Sequence, residues 1–436
     1  MQKIISTPLG EIKGTLCDSV IDFKGIRYAT CKRWTYPEAV THWDGVYDAT
    51  AYKNCSYQPR AFYNEEENPG KIFYYNEFRK GEAYTYDDDC LFLNIRTPED
   101  ATPDSKLPVL VYIHGGGFTG GCGHEKHFDG PVWAKKGIVS VTINYRLGPM
   151  GFMCLPELKD EAGHTGNYGL YDQIAAIRWV KSNIAAFGGD GDKITIMGQS
   201  AGAMSVQHLC GSDYTDGLFR SAVMSSGVGM GSFMTSTPEK KYDFWKQVMQ
   251  NTGAKTLEEF RSIPADILFS EWKKVKGSAM SAVPVKDGIL IKDKPTVKNI
   301  PYMVGSTSHD MAPAVLYSLT KKWAKQNGAY MWLFGRMLPG DDKGAWHSSD
   351  LWYWFGTLKN CWRPMEEKDY LLSDKMSEYL CNFVRSGDPN GENLIHWGKC
   401  QNSKTVMNFG DNLTYYGKAD MGKLIYNTLT TKPVGE

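Results

Sequence analysis

The chain has 436 residues and a balanced charge, with 49 Lys and Arg against 49 Asp and Glu. Because this balance attracts neither polyanions nor anionic lipid, the composition argues against a nucleic-acid-binding or membrane-surface protein. The hydrophobic fraction is 42%, and no apolar run approaches the roughly 20 residues of a membrane helix. These features predict a soluble globular protein without membrane or nucleic-acid partners.

The N-terminus and the cysteines bear on the cellular compartment. The opening segment breaks at Pro8, too early for a signal peptide. A cytoplasmic protein is therefore expected, and a secreted one only if a signal segment has been removed. The ten cysteines are scattered without C-x-x-C pairs, which predicts that most of them are buried free thiols and that the chain has no zinc site.

Short apolar, β-prone runs recur along the chain and predict strands. Near-continuous apolar strands are typical of a parallel sheet covered on both faces. Between them, residues 168–187 carry apolar side chains at intervals of three and four, which predicts a helix ending at the glycine-rich segment 188–191. The alternation favours one α/β domain over residues 1–436. The predicted strands are 109–113, 138–143, 194–197, 222–224, 302–304 and 330–334.

A glycine-rich loop follows the first of these strands. The segment His114-Gly115-Gly116-Gly117-Phe118 exposes backbone N–H groups that no side chain covers, as an oxyanion hole requires. A phosphate-binding loop is the alternative, but the pattern G-x-x-x-x-G-K-[ST] is absent. A plain flexible loop is the other alternative.

The pentapeptide Gly198-Gln199-Ser200-Ala201-Gly202 follows the predicted strand 194–197. Glycines two before and two after the serine allow a sharp strand-to-helix turn that exposes the hydroxyl, because a Cβ at either position would clash. Such a pentapeptide also arises by chance in a glycine-rich chain. Ser200 therefore becomes a candidate nucleophile only if a base and an acid exist elsewhere.

Asp310 and His347 follow Ser200 in the order of an α/β-hydrolase triad. Asp310 lies just beyond the predicted strand 302–304, and His347 lies in a later loop. Order alone is thin evidence, since most of the nine histidines of the chain have no reason to be catalytic.

Several blocks resemble the type B carboxylesterases, the group that includes cholinesterases and bile-salt lipases. The chain is similar to this family over nearly its whole length, and the similar blocks lie before the pentapeptide at Ser200. The similar blocks are Phe23-Lys24-Gly25-Ile26-Arg27-Tyr28-Ala29, Asp88-Asp89-Cys90-Leu91-Phe92-Leu93-Asn94-Ile95, residues 144–152, residues 166–173 and residues 183–190.

The resemblance implies an α/β-hydrolase fold, with a central, mostly parallel twisted sheet and helices on both faces, and it implies a role for each candidate residue. Ser200 is the nucleophile, His347 the base, and Asp310 the orienting acid, in a position where the family usually has glutamate. The backbone N–H groups of Gly116, Gly117 and Ala201 form the oxyanion hole. Ser226 falls on a serine that supports the triad in relatives, with a plain strand-end role as the alternative, and Gln199 replaces a common glutamate. No cofactor or metal is implied.

Departures from the family pattern concern the cap over the site. Residues 228–300 are expected to form a cap-like insertion, whereas segment 311–346 is much shorter than in typical relatives, so the cap region is reduced. We therefore expect a more open active site that accepts bulky esters. We also expect the protein to be a monomer. Cys55 and Cys90 occupy the positions of a disulfide of secreted relatives, and both are expected to be reduced here. No Trp lies between them, which argues against choline esters.

The predicted activity is hydrolysis of neutral small-molecule esters by an acyl-enzyme mechanism. Amidase, thioesterase and carbamate hydrolase activities use the same machinery and stay open. A non-catalytic, cholinesterase-like adhesion protein is the alternative from another class, although such proteins lose the nucleophile that this chain retains.

Overall fold

A computed structural model describes residues 1–67, 72–401, 405–431 and 434. The described strands are β1 (Gln2–Thr7), β2 (Gly10–Cys17), β3 (Val20–Arg27), β4 (Ala29–Thr30), β5 (Glu38–Ala39), β6 (Val46–Asp48), β7 (Cys55–Ser56), β8 (Tyr86–Asp87), β9 (Phe92–Pro98), β10 (Leu107–Ile113), β11 (Val139–Ile143), β12 (Gly189–Gln199), β13 (Ser221–Ser225), β14 (Tyr302–Thr307), β15 (Tyr330–Phe334), β16 (Thr405–Gly410) and β17 (Leu413–Lys418).

Helices fill most of the connections between the strands. The described helices are α1 (Ile72–Phe78), α2 (Val132–Lys135), α3 (Gly148–Phe152), α4 (Pro156–Ala162), α5 (Tyr168–Asn183), α6 (Ala201–Cys210), α7 (Gly231–Met234), α8 (Glu239–Asn251), α9 (Leu257–Arg261), α10 (Ala265–Lys274), α11 (Ser278–Ser281), α12 (Pro313–Asn327), α13 (Leu351–Trp354), α14 (Glu367–Ser386) and α15 (Met421–Thr430). None of these helices combines the length and the apolar character that crossing a bilayer requires.

One large mixed sheet organises the molecule. Its strand order is β1-β2-β3-β9-β11-β10-β12-β13-β14-β15-β16-β17, with β6 beside β2. The strands from β11 to β16 in this order pair in parallel, and antiparallel strands extend both edges. The predicted α/β-hydrolase architecture, a mostly parallel sheet with helices around it, is confirmed, and all six predicted apolar runs form strands.

The sheet is buried on both faces because its side chains alternate between two cores. Along β10, Val109 and Val111 join a core with residues of α5 and α6. The intervening Leu110 and Tyr112 join a second core with residues of α13 and α14. Covering both faces explains why the strands read as continuous apolar runs.

The predicted helix at 168–187 is correct at its start and needs one correction at its end. The α-helix ends at Asn183 and continues as a 3-10 turn over Ile184–Phe187. Gly188 then stops it with a φ of 82°. Gly189 already belongs to β12, so the glycine-rich segment opens a strand and is not a separate turn.

The predicted cap-like insertion, residues 228–300, and the shortened segment 311–346 both contain regular secondary structure. Residues 228–300 contain the five described helices α7 to α11, whose side chains Trp245, Phe260 and Leu268 join the core of the α5 face. Segment 311–346 holds α12, which contributes Tyr317 and Trp323 to the same core, and β15, which pairs with β14 and β16 in the sheet. The domain boundaries themselves stay a prediction.

Candidate active site

Ser200 stands on a sharp turn between β12 and α6. Its φ of 55° and ψ of −124° are rare for a residue with a side chain, and its N–H donates to the Ser225 carbonyl at 2.9 Å. A Cβ on Gly198 would lie 2.3 Å from the Gly202 oxygen, and a Cβ on Gly202 would lie 2.1 Å from the Ile113 oxygen. Both glycines are therefore required by close backbone approach, as the pentapeptide predicted.

Asp310 and His347 are brought together by a bridge between their loops. The preceding residues, His309 and Trp346, form an isolated parallel β-bridge, with the His309 N–H donating to the Ala345 carbonyl at 3.1 Å. Asp310 Oδ1 consequently lies 2.5 Å from His347 Nδ1. The bridge holds the loops close enough for the short aspartate side chain to reach the imidazole.

The Asp310 carboxylate is held by hydrogen bonds on both oxygens. Oδ2 accepts from the Ser226 hydroxyl at 2.6 Å and from the N–H and hydroxyl of Thr307 at 3.2 and 3.1 Å. Oδ1 accepts from the Met311 N–H at 2.8 Å. Burial alone would raise the pKa of Asp310, but the charge and hydrogen bond of His347 and these donors outweigh burial and lower it.

The pKa of His347 is shifted in the opposite direction to that of Asp310. Burial lowers the pKa of its imidazole, whereas the charge and hydrogen bond of Asp310 and the charge of Asp350 raise it, and the net result is a pKa above the ordinary 6.5. An anionic partner on Nδ1 also fixes the proton on that nitrogen, which leaves Nε2 free to accept one.

The Nε2 atom of His347 faces Gln199. The two side-chain nitrogens, Nε2 of each residue, lie 3.2 Å apart. Among the described residues, this amide is the hydrogen-bond partner of Nε2, and Ser200 Oγ is not. Ser200, His347 and Gln199 nevertheless line one cavity of about 360 Å³, so the serine and the imidazole share one space.

The glycine loop forms another wall of that cavity. The N–H groups of Thr119 and Gly120 donate to the Gly116 carbonyl at 3.1 and 3.0 Å, which closes a tight turn. Gly116 and Gly117 have φ values of 111° and 62°, a region that favours glycine. Within the described ranges, the N–H groups of Gly116, Gly117 and Ala201 have no protein acceptor, and they remain available to an anion.

One functional group of the site was missed from the sequence. Asp350, three residues after His347, is fully buried and accepts from the Ser225 hydroxyl at 2.7 Å and the Trp354 indole at 3.2 Å. Burial raises the pKa of Asp350 to about 6, although these hydrogen bonds oppose the rise. The adjacent serines Ser225 and Ser226 thus serve two different carboxyl groups, and no spacing rule indicates this.

The aromatic residues next to His347 in the chain pack in the core and do not line the cavity. They are Trp346, Trp352, Tyr353, Trp354 and Phe355. Trp346 is fully buried against Phe73 and Phe78, and the residues of α13 join the same core. The apolar side chains that do line the cavity are Tyr74, Phe78, Tyr112, Phe128, Met311, Leu351 and Val434.

Cys55 and Cys90, which occupy the positions of a disulfide in secreted relatives, are not bonded to each other. All ten cysteines are free, and the Cys55 thiol lies beside His124, with Sγ and Nε2 3.6 Å apart. Cys90 is buried separately.

The chain is similar to known proteins both in sequence and in structure. A model described as the carboxylesterase family matches residues 1–329 and 314–424. Para-nitrobenzyl esterase of Bacillus subtilis is 33% identical over 70% of this chain, and bile salt-activated lipase of Rattus norvegicus is 34% identical over 87%. The chain spans 62% of the former relative and 76% of the latter, and 57% of the bile salt-activated lipase of Mus musculus.

Solved structures agree along almost the entire chain. A para-nitrobenzyl esterase structure superposes with a TM-score of 0.82 at 25% identity, covering 98% of this chain and 99% of its own. A carboxylesterase of Geobacillus stearothermophilus gives a TM-score of 0.79 at 27% identity, covering 97% and 99%.

Proposed function

Because this chain belongs to the carboxylesterase family, we propose that it hydrolyses carboxylic esters of neutral small molecules through an acyl-enzyme on Ser200. The observation that carries the proposal is the Asp310–His347 pair at 2.5 Å, beside a strained serine and unpaired backbone N–H groups in one cavity. Nucleophile, base, orienting acid and oxyanion donors are the complete requirement for acyl transfer.

The reaction proceeds in two halves. Ser200 Oγ takes the position beside His347 Nε2 that Gln199 now faces, gives its proton to Nε2 and bonds to the ester carbonyl carbon. The carbonyl oxygen becomes an oxyanion held by the N–H groups of Gly116, Gly117 and Ala201. As the C–O bond breaks, Nε2–H protonates the leaving alkoxide. Water then repeats these steps on the acyl-enzyme and releases the acid.

The cavity sets a size range for the substrate. Its volume of about 360 Å³ lies near the lower end of the roughly 300–1,000 Å³ of small-molecule sites. The walls combine apolar side chains with polar ones, and an Arg60–Glu125 ion pair at 2.8 Å lies on one side. This supports small neutral esters better than the bulky esters expected from the shortened segment 311–346, and that expectation stays a prediction.

A substrate panel and an active-site label test the proposal. We expect p-nitrophenyl acetate and butyrate to be hydrolysed faster than matched anilides or long-chain and branched esters, and a fluorophosphonate probe to label Ser200. Matched thioester and carbamate substrates measure the related activities. A properly folded protein that neither takes the label nor hydrolyses any ester would contradict the proposal and favour the non-catalytic alternative.

The pH dependence has a defined sign. His347 acts as a base only when neutral, and its raised pKa keeps it protonated to a higher pH than an ordinary histidine. We therefore expect kcat/KM to fall on the acid side with a midpoint above 6.5. In Gln199→Glu the new carboxylate near Nε2 should move that midpoint further up. A midpoint at or below 6.5 in the unaltered enzyme would refute this assignment.

Ser226 is expected to act through Asp310. Removing its hydroxyl in Ser226→Ala deletes a charge-assisted hydrogen bond of 2.6 Å, and kcat/KM should fall by about 10- to 100-fold. Because the Asp310 carboxylate then accepts one hydrogen bond fewer, the acid-side midpoint of the pH profile of kcat/KM should also move. Ser349→Ala is the matched control, since the Ser349 hydroxyl is buried without a partner among the described residues. An unshifted pH profile in Ser226→Ala would leave Ser226 a purely structural residue.

A further inference from the structure

A cluster of two thiols and an imidazole lies behind the glycine loop, outside the cavity that holds Ser200. Cys55 Sγ, Cys122 Sγ and a ring nitrogen of His124 lie within 4.8 Å of one another. Cys55 and His124 are 69 positions apart in the chain, so no C-x-x-C spacing marks the cluster. None of the three residues lines the active-site cavity as described.

We propose that Cys55, Cys122 and His124 bind one Zn²⁺ ion that stabilises the glycine loop. Thiolate sulfur and imidazole nitrogen are the ligands that zinc prefers in proteins. Two thiolates also neutralise the charge of the ion. The proposal goes beyond ester hydrolysis, because it assigns a structural ion and no step of the reaction.

The separation of one pair of ligand atoms matches a tetrahedral zinc ion. Zinc bonds of about 2.3 Å to sulfur and about 2.0–2.1 Å to nitrogen, at a tetrahedral angle, hold the two ligand atoms about 3.6 Å apart. The observed separation of Cys55 Sγ and His124 Nε2 is 3.6 Å. Three protein ligands leave one position, which solvent can fill because His124 is only partly buried.

The backbone on both sides of the cluster is held in place by buried amide side chains. Asn144 accepts from the Gly123 N–H at 2.7 Å and donates to the Asn54 carbonyl at 3.1 Å, so it joins the two ligand-bearing segments. Gln58 accepts from the Gly121 N–H and donates to its carbonyl, both at 3.0 Å.

The ligand side chains are oriented as well. The imidazole of His124 stacks on the ring of Tyr52, with centroids 4.6 Å apart and an interplanar angle of 11°. The N–H of Cys55 donates to the Thr85 carbonyl at 2.8 Å, which fixes β7 against its neighbouring strand. Preorganised ligands of this kind reduce the ordering that binding must impose.

The position of the cluster explains what the ion would do for the enzyme. Cys122 directly follows Gly121, which lines the active-site cavity, and Gly121 lies in the same loop as Gly116 and Gly117. Tying Cys122 and His124 to Cys55 would fasten this loop to β7. The ion is therefore expected to raise the thermal stability of the folded chain, since a ligand that binds only the native state stabilises it.

Zinc binding can be measured without any activity assay. The full chain is purified reduced, stripped with a chelator and titrated with Zn²⁺ against a chromophoric competitor, with metal content counted by mass spectrometry. We expect about one Zn²⁺ per chain and a rise in Tm. In Cys122→Ser and His124→Gln the affinity should fall by at least about 100-fold, since losing a ligand costs more than losing a supporting group.

A matched variant shows whether the loss of Zn²⁺ binding is specific to this cluster. Cys154→Ser alters another fully buried free thiol and should bind Zn²⁺ like the unaltered chain. If Cys122→Ser does not fold, His124→Gln, altered at a partly exposed side chain, carries the comparison. The proposal is overturned if the unaltered chain binds no Zn²⁺ or if the His124→Gln variant binds it equally well.

Discussion

Replacing Ser200 with alanine is expected to abolish turnover of a p-nitrophenyl ester, with kcat/KM falling by about 10⁶-fold. The variant keeps the cavity, the oxyanion donors and the Asp310–His347 pair, but it has no atom that can bond to the ester carbon. The remaining acceleration over water, about 10³- to 10⁴-fold, would come from binding and the oxyanion hole alone. Single-turnover release of p-nitrophenol measures the loss without contribution from later steps.

The fold should survive this substitution. Ser200 adopts its strained backbone because neighbouring strands require it, with its N–H bound to the Ser225 carbonyl at 2.9 Å. Alanine at the same position is strained to a similar extent, so Tm should change little. Ser349→Ala, the same chemical change at a buried position nearby, should keep nearly full activity. Activity in Ser200→Ala close to that of this control would remove Ser200 from the mechanism.

Asp310→Asn is expected to lower kcat/KM by about 10⁴-fold. The carboxylate accepts five hydrogen bonds, from His347, Ser226, Thr307 and Met311. An amide offers only one oxygen to these donors and presents an N–H₂ group of its own. Where that group faces His347 Nδ1, it favours the tautomer with the proton on Nε2, which cannot accept the serine proton.

The pH profile separates the loss of charge from the loss of position. Without the carboxylate, the pKa of His347 should fall, because the largest effect that raises it is the charge of Asp310. The residual activity of Asp310→Asn should therefore extend to lower pH than that of the unaltered enzyme. A loss smaller than tenfold, with an unmoved acid limb, would show that Asp310 is not the orienting acid.

Asp350→Asn is the informative comparison, because it changes a second buried carboxyl group beside the same imidazole. Asp350 has its pKa raised to about 6, so a neutral side chain is a closer substitute there than at Asp310. The amide oxygen can still accept from the Ser225 hydroxyl and the Trp354 indole, which lie at 2.7 and 3.2 Å. We expect a far smaller loss of activity than in Asp310→Asn, measured on the same substrate.

Much of the fold could be predicted from local sequence patterns. Continuous apolar runs predicted six central strands, because a strand buried on both faces needs no polar side chain. The helix at 168–187 followed from its period. Its end was misplaced, since Gly188 alone stops the helix and Gly189 is taken into β12 by pairing with β10. Strand pairing is decided by a neighbour that the local sequence does not contain.

The candidate site also combines features that the sequence pattern predicts with contacts that only the tertiary structure creates. The pattern that marks the turn at Ser200 is local, and Gly198 is required by the Gly202 oxygen within the turn. Gly202, however, is required by the carbonyl oxygen of Ile113 at the end of β10, which is distant in the chain. The chain order of Asp310 and His347 suggested their pairing, but the bridge of His309 to Trp346 creates it. The contact of Gln199 with the base, and the placement of Ser225 and Ser226 on separate carboxyl groups, depend on side-chain packing.

The sequence by itself therefore determined six central strands, the glycine pattern of the turn at Ser200 and the family, since each rests on short patterns in the chain. The tertiary structure decided which distant side chains meet. The contacts of Asp350 with Ser225, and of Cys55 with Cys122 and His124, join segments that are far apart in the chain. Such contacts depend on distances between chain segments, and those distances exist only after strand order, register and loop packing have been fixed.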